Sequence, residues 1–225
     1  MSAPVPRYER GSSELDRAIG FVDATFAVAL TLLVTGLEVG EDPQVWTSLS
    51  ALNDEVGLQF VAFAISFAVI SSYWLEHHRM VASFAAIDRP VIIANLFLVA
   101  AIVILPFSTK SVGDPGVENL PLPSAVLAVN VAAASALQTL VYVMACRRRL
   151  LASEPTRAEF SAQVASSLTP AAVFLFSIPI AYLVTPGAAQ LVWLSLFVLN
   201  PTVTRWLRST RRQDAPPPTG AGERG

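Results

Sequence analysis

Between Arg17 and Glu38 the chain reads RAIGFVDATFAVALTLLVTGLE, an apolar run long enough to cross a bilayer with one carboxylate, Asp23, in its first turns. A charged side chain at membrane depth costs about 2.5–3.5 kcal/mol on insertion scales, so Asp23 needs a reason to be there. Further apolar runs follow at intervals. Each is about 17–25 residues, the length that a hydrocarbon core of ~30 Å requires.

Only 14% of the 225 residues are charged and 53% are hydrophobic, with a mean hydropathy of +0.55. A soluble domain carries roughly 25% charge. So few charges cannot clothe a water-facing surface, and the expected class is an all-α integral membrane protein. The net charge of -2 and the dispersed arginines give no basic face for nucleic acid. A single cysteine, Cys146, excludes an intrachain disulfide and a cysteine-based metal cluster. The first run is too long for the core of a cleavable signal and is read as a retained helix.

Six spans are expected, over residues 18–36, 55–77, 90–107, 124–146, 160–184 and 188–207. A polar tail, 1–16, precedes the transmembrane domain, 17–207, and a Pro/Gly/Arg-rich tail, 208–225, is expected to be disordered. Pro170 and Pro179 are expected to bend the fifth helix. With six spans, 14 of the 15 Lys/Arg residues share one side, and Lys110 alone falls on the other. The positive-inside rule then places both termini in the cytoplasm. The opposite loops are acidic, with Glu38, Glu41, Asp42 and Asp54 before the second helix.

At 100° per residue, Ala24, Val28, Thr31 and Thr35 fall on one narrow stripe of the first helix. Asp23, Ala27, Leu30 and Val34 form a second stripe a quarter-turn away. The first suits a water-filled axis, because an apolar ring gates by dewetting and hydroxyls replace part of an ion's hydration shell. The alternative is that both threonines bond back to helix carbonyls and pack against neighbours. Trp74, His77 and His78 end the second helix, Asp88 and Arg89 open the third, and Asn95 lies further in. All sit at the depth of Asp23 and are candidates to pair with it. Equally, Trp74 suits an interfacial belt and the histidines suit headgroup anchors.

Arg17-Ala-Ile-Gly-Phe21-Val22-Asp23 resembles the Arg-x-x-x-Phe-Ser-Asp signature on the first helix of the transmembrane protein 175 family, the endolysosomal potassium channel and its prokaryotic relatives. FAVALTLLV is similar to the family's FAIAITLLV, and Trp74-Leu75-Glu76-His77-His78 to the segment that ends its second helix. Asp88-Arg89, Asn95 and Leu105-Pro106-Phe107-Ser108-Thr109 fit its third. The resemblance implies a six-helix subunit of a homotetramer in a prokaryotic plasma membrane, with four copies of the first helix lining a potassium pore. It implies an apolar constriction at Val28, a hydroxyl layer at Thr31, and a network of Arg17, Phe21, Asp23, Trp74, His77 and Asn95 that holds the helix. It implies no cofactor beyond permeant potassium. Two departures stand out. Val22 replaces the signature serine, and the constriction is valine where a larger side chain is usual.

Ser111-Val112-Gly113-Asp114 faintly resembles a potassium filter but lacks a pore helix before it. His77 and His78 point apart on a helix, which is unsuited to zinc. No phosphate loop, dinucleotide fingerprint or nucleophile elbow is present, so an enzyme is not expected. A proton-coupled carrier using Asp23 and His77 is one alternative. Its expected inverted repeat is missing, because no second Phe-x-Asp occurs. A non-conducting scaffold is the other.

Overall fold

The computed structural model describes residues 6–196. A short strand, β1 (Arg7–Glu9), precedes helix α1 (Ser13–Leu32), which tightens into a 3-10 turn over Leu33–Gly36. A second 3-10 turn, Pro43–Thr47, leads into α2 (Leu49–Ala82). Then come β2 (Ala86–Asp88), α3 (Arg89–Gly113), α4 (Pro121–Arg147), α5 (Arg157–Leu183) and α6 (Pro186–Leu194). Five of these helices, α1 to α5, are long and apolar enough to span a membrane. The rest of the expected sixth span, with Asn200-Pro201, and the 208–225 tail lie outside the described residues. We call the end bearing Arg79, Arg147, Arg148, Arg149 and Arg157 the inner end.

Local chemistry starts each helix. Ser12, Ser48, Thr156 and Thr185 each accept a hydrogen bond from a first-turn backbone N–H, and Thr156 forms a reciprocal capping box with Glu159. Asp88 does the same for α3, with Pro90 in the first turn. Good caps explain why the helices outrun their apolar cores. α2 takes in the polar Leu49–Asp54 segment behind Ser48 and continues to Ala82. His78 and Arg79, beyond the expected span of 55–77, are therefore helical. At roughly 1.5 Å per residue, the 34 residues of α2 span about 51 Å, more than a bilayer core. Helix α3 likewise runs through Pro106 to Gly113, and the side chain of Asn130 on α4 reaches it at Ser108 (3.2 Å). Helix α5 is continuous through Pro170 and Pro179.

Helix α3 is the spine. α1, α2 and α4 pack on it, and α5 packs on α4. Inside lipid, helices gain little from hiding apolar surface and associate through close contact and interhelical hydrogen bonds. Small side chains allow the closeness. Ala128, Ala134 and Ser135 are buried on α4. Gly113 is needed where α3 crosses α2, because a Cβ there would lie 3.0 Å from the Gln59 backbone. Tyr73 Oη lies 2.6 Å from Ser135 Oγ and donates to the Val131 carbonyl (2.8 Å), joining α2 to α4.

The segment before α1 is not a loose tail from Arg7 onward. β1 pairs antiparallel with β2, Tyr8 opposite Ile87, in a small two-stranded sheet that an all-α expectation lacks. Ala85 and Ala86 donate backbone hydrogen bonds to the Leu150 carbonyl, and Arg10 Nη1 donates to the Ala82 carbonyl (2.8 Å). Arg148 forms an ion pair with Asp88, which is buried. This inner clasp ties the start of α1 to the α2–α3 and α4–α5 turns.

Candidate functional site

One stripe of α1 is committed to the subunit core. Leu15, Val22, Phe26, Ala29 and Leu33 are buried, and the last four share a cluster with Leu98, Ile102 and Leu105 of α3. At 100° per residue that stripe centres about 200° from the stripe of Ala24, Val28, Thr31 and Thr35. The two lie on opposite sides of the helix. All four residues of the second stripe are exposed in the subunit, Val28 by 52%. Only 22% of the membrane window of α1 is buried, against 56% for α3. A membrane protein must cover such a face with lipid, with another chain, or with a water-filled path.

The threonines on this stripe are oriented by their own helix. Thr31 Oγ1 donates to the Val28 carbonyl (2.8 Å) and Thr35 Oγ1 to the Leu32 carbonyl (2.7 Å). Thr25, nearly two turns from Thr31 toward the inner end, donates to the Phe21 carbonyl (2.8 Å). A hydroxyl that has given its hydrogen to the backbone keeps both lone pairs as acceptors. Thr31 and Thr35 are exposed in the subunit, whereas Thr25 is half-buried. Back-bonding and an outward acceptor face therefore coexist here. Four hydroxyls of this kind around an axis would present partial negative charge and no donor.

The residues grouped around Asp23 by sequence separate into two pairs. Trp74 Nε1 donates to Asp23 Oδ1 (3.0 Å), so the carboxylate is half-buried and turned toward α2. Trp74 also lies against His78, ring centroids 5.4 Å apart. Deeper in the subunit, His77 Nε2 lies 2.8 Å from Asn95 Oδ1, and Asn95 Nδ2 donates to the Val91 carbonyl (3.0 Å). Both side chains are buried, and the ring of Phe26 lies 5.9 Å from that of His77. Asp23 does not reach His77 by a direct hydrogen bond. Arg17 is exposed, with no hydrogen bond or ion pair among the described residues, and Phe21 is 54% exposed. Within one subunit Arg17 stands apart from both pairs, and Phe21 borders the cavity beside His77 and Asn95 without bonding to either.

Val22 sits on the core stripe and borders a cavity of about 190 Å³ together with Phe21, His77, Asn95 and Leu96. A serine there would face the histidine–asparagine pair. Valine leaves that pair complete with two members and lines the cavity with carbon.

The outer end is held by fewer polar contacts. Glu38 exchanges backbone hydrogen bonds with the Gln59 amide (2.7 and 3.1 Å), and Lys110 pairs with the Glu38 carboxylate (2.5 Å). Asp42 caps the Pro43–Thr47 turn and Asp114 accepts from Gly116 N. These acidic side chains are engaged in ordinary local structure. No group of His, Cys, Asp and Glu among the described residues is arranged to hold a metal.

Some polar contacts had no clear signal in the sequence. Glu76, next to His77, accepts from Ser167 Oγ (2.6 Å) and Gln163 Nε2 (2.9 Å) on α5. The partner of Asp88 is the middle arginine of Arg147-Arg148-Arg149, a run that topology alone would explain. The buried amide of Gln138 has no protein partner among the described residues. Only the depth of each residue could have pointed to these, and depth does not choose a partner.

Residues 17–106 match the sequence model of the endosomal/lysosomal potassium channel TMEM175. A potassium channel of Streptomyces collinus is 30% identical over 105 residues, which is 45% of this chain and 49% of that one. A potassium channel of Chamaesiphon minutus is 32% identical over 104 residues, 45% and 51% of the two chains. The chain thus spans about half the length of the curated relatives it matches. In fold it is similar to the crystal structure of a lysosomal potassium-selective channel TMEM175 homologue from Chamaesiphon minutus. That match has a TM-score of 0.66 and 24% identity, and covers 90% of this chain and 100% of that one. The potassium channel MtTMEM175, as a threonine-to-alanine variant in complex with a nanobody fusion protein, is similar with a TM-score of 0.56 and 18% identity, over 95% and 99% of the chains.

Proposed function

We propose that this chain, whose residues 17–106 match the sequence model of the endosomal/lysosomal potassium channel TMEM175, is one subunit of a homotetrameric potassium-permeable channel. Four copies of α1 line the pore. Val28 forms its apolar constriction, and the Thr31 and Thr35 oxygens form acceptor layers beyond it. The channel sits in the plasma membrane of a prokaryote with both termini cytoplasmic, in keeping with 14 of 15 Lys/Arg residues on one side.

The observation that carries this reading is the opposition of the two stripes. The helix buries Val22, Phe26, Ala29 and Leu33 against α3 and turns Ala24, Val28, Thr31 and Thr35 out of the subunit. Their hydroxyl hydrogens are already consumed by backbone carbonyls. An acceptor-only layer favours a cation over an anion. A valine ring above or below it excludes water when narrow and passes a hydrated ion when it widens. Asp23 acts through Trp74 to hold the helix, because its carboxylate faces α2 and lies off the exposed stripe.

Purified protein in liposomes should pass potassium faster than sodium, with a detergent-solution mass near four subunits. A well-folded tetramer with no flux above empty liposomes would contradict the channel. A monomer would contradict the assembly.

A further inference from the structure

A second cavity, of about 390 Å³, lies away from α1 at the inner ends of α2 and α5. Its charged lining is Glu76, Arg79 and Glu159, the last engaged in the capping box with Thr156, and Tyr142, Gln163 and Ser166 add polar groups. Glu76 receives both of its donors, Ser167 and Gln163, on Oε1. Its Oε2 takes no hydrogen bond from the described residues. Arg79 follows one turn further out on the same face of α2, exposed and without an ion pair among the described residues. The cavity therefore offers a carboxylate oxygen at depth and a guanidinium at its mouth, three residues apart on one helix. Residues at that spacing have Cβ atoms about 5–6 Å apart.

We propose that this cavity binds the headgroup of a bilayer lipid of the ethanolamine-phosphate type, with its ammonium on Glu76 and its phosphate on Arg79. Three features support this. The two poles have the sign order of that zwitterion entering from the membrane surface, and a two-carbon link between ammonium and phosphate spans a comparable distance. The helix ends that form the cavity carry Arg79, Arg147 and Arg157, the residues of a headgroup layer. An ammonium with N–H donors also supplies the hydrogen bond that Oε2 lacks, which a quaternary ammonium cannot. The site is independent of the pore reading, since none of the cavity residues lies on α1.

The test is lipid binding to the purified full-length chain, followed by thermal stabilisation and by native mass spectrometry. Phosphatidylethanolamine is compared with phosphatidylcholine, phosphatidylglycerol and soluble phosphoethanolamine. Phosphatidylethanolamine should bind about tenfold tighter than phosphatidylcholine, the size of one charge-assisted hydrogen bond. Arg79→Gln, an exposed change, should erase most of that preference. Ser166→Phe, which narrows the cavity, should reduce it without touching either charge. Glu76→Gln should also erase it, and the other two variants carry the test if that one does not fold. Equal affinity for phosphatidylethanolamine and phosphatidylcholine would overturn the proposal, as would a preference that survives both Arg79→Gln and Ser166→Phe. Binding of soluble phosphoethanolamine without binding of the lipid would overturn the lipid assignment.

Discussion

On the inner side of Phe26, α1 meets its neighbours through side-chain chemistry. Asp23 is bonded by Trp74, the histidine–asparagine pair packs under Phe26, and the clasp around β1 and Arg148–Asp88 fixes the chain just before the helix. On the outer side of Ala29, the same helix presents Thr31 and Thr35, whose hydroxyls bond only to their own backbone. The 3-10 turn that carries Thr35 is followed by Glu38, which is held by the Gln59 amide and one exposed ion pair. The inner half uses its polar groups to fix orientation, and the outer half leaves its polar groups to face whatever fills the axis. In lipid, an unpaired polar group is costly. Under the proposed channel function, the division should separate residues whose loss costs stability from residues whose loss changes permeation.

The sharpest way to break that division is at the clasp. Arg148→Ala leaves the buried Asp88 carboxylate uncompensated and should cost about 3 kcal/mol, the lower end for a broken buried pair because Arg148 is partly exposed. A fall in thermal unfolding temperature in detergent is the expected readout. An unchanged melt would remove the clasp as an anchor. Next, Asn95→Leu deprives buried His77 of its partner and should cost about 1–3 kcal/mol. It should lower the yield of tetramer more than it alters the ion preference of what remains.

In the outer half the pattern should reverse. Thr31→Val keeps the shape and removes one acceptor per subunit, so stability should change by less than about 0.5 kcal/mol, as for an exposed site. The potassium-over-sodium flux ratio in liposomes should fall several-fold. A destabilised protein with unchanged selectivity would invert the comparison. The smallest effect is expected from Val22→Ser. The hydroxyl would enter the edge of the 190 Å³ cavity beside His77 and Asn95 and add one hydrogen bond, worth about 0.5–1.5 kcal/mol before the lost methyl packing is counted. A large loss of stability on that change would show that the pair has no room for a third polar member.

The sequence made α1 and its two faces legible because 3.6-residue spacing survives in any environment. Ala24 and Thr31 share a stripe whatever packs beside them. That Val22, Phe26, Ala29 and Leu33 form the buried stripe was not read from the sequence, because spacing does not say which face of α1 the helix α3 covers. Partner choice was not legible. Asp23, His77 and Asn95 share a depth, yet Asp23 pairs with Trp74, and His77 pairs with Asn95, because each lies on the side of its helix that faces that neighbour. Helix ends were misjudged where capping outweighed hydropathy, as with Ser48 before the polar start of α2. The β1–β2 pairing was invisible, since three residues such as Arg7-Tyr8-Glu9 carry no period to read. Lys110 stood out as the one basic residue on the outer side, but its role as the partner of Glu38 needed the crossing of α1 and α3.

The central claim is that the Thr31 face of α1 meets the permeating ion. The most direct measurement is potassium flux through Thr31→Cys protein, with Cys146→Ser removing the native thiol, in liposomes before and after a charged thiol reagent. Flux should stop on modification at position 31 and persist when the cysteine is placed instead at Phe97, on the exposed face of α3. Flux that is unaffected by modification at Thr31, in a protein shown to be labelled there, would contradict the claim.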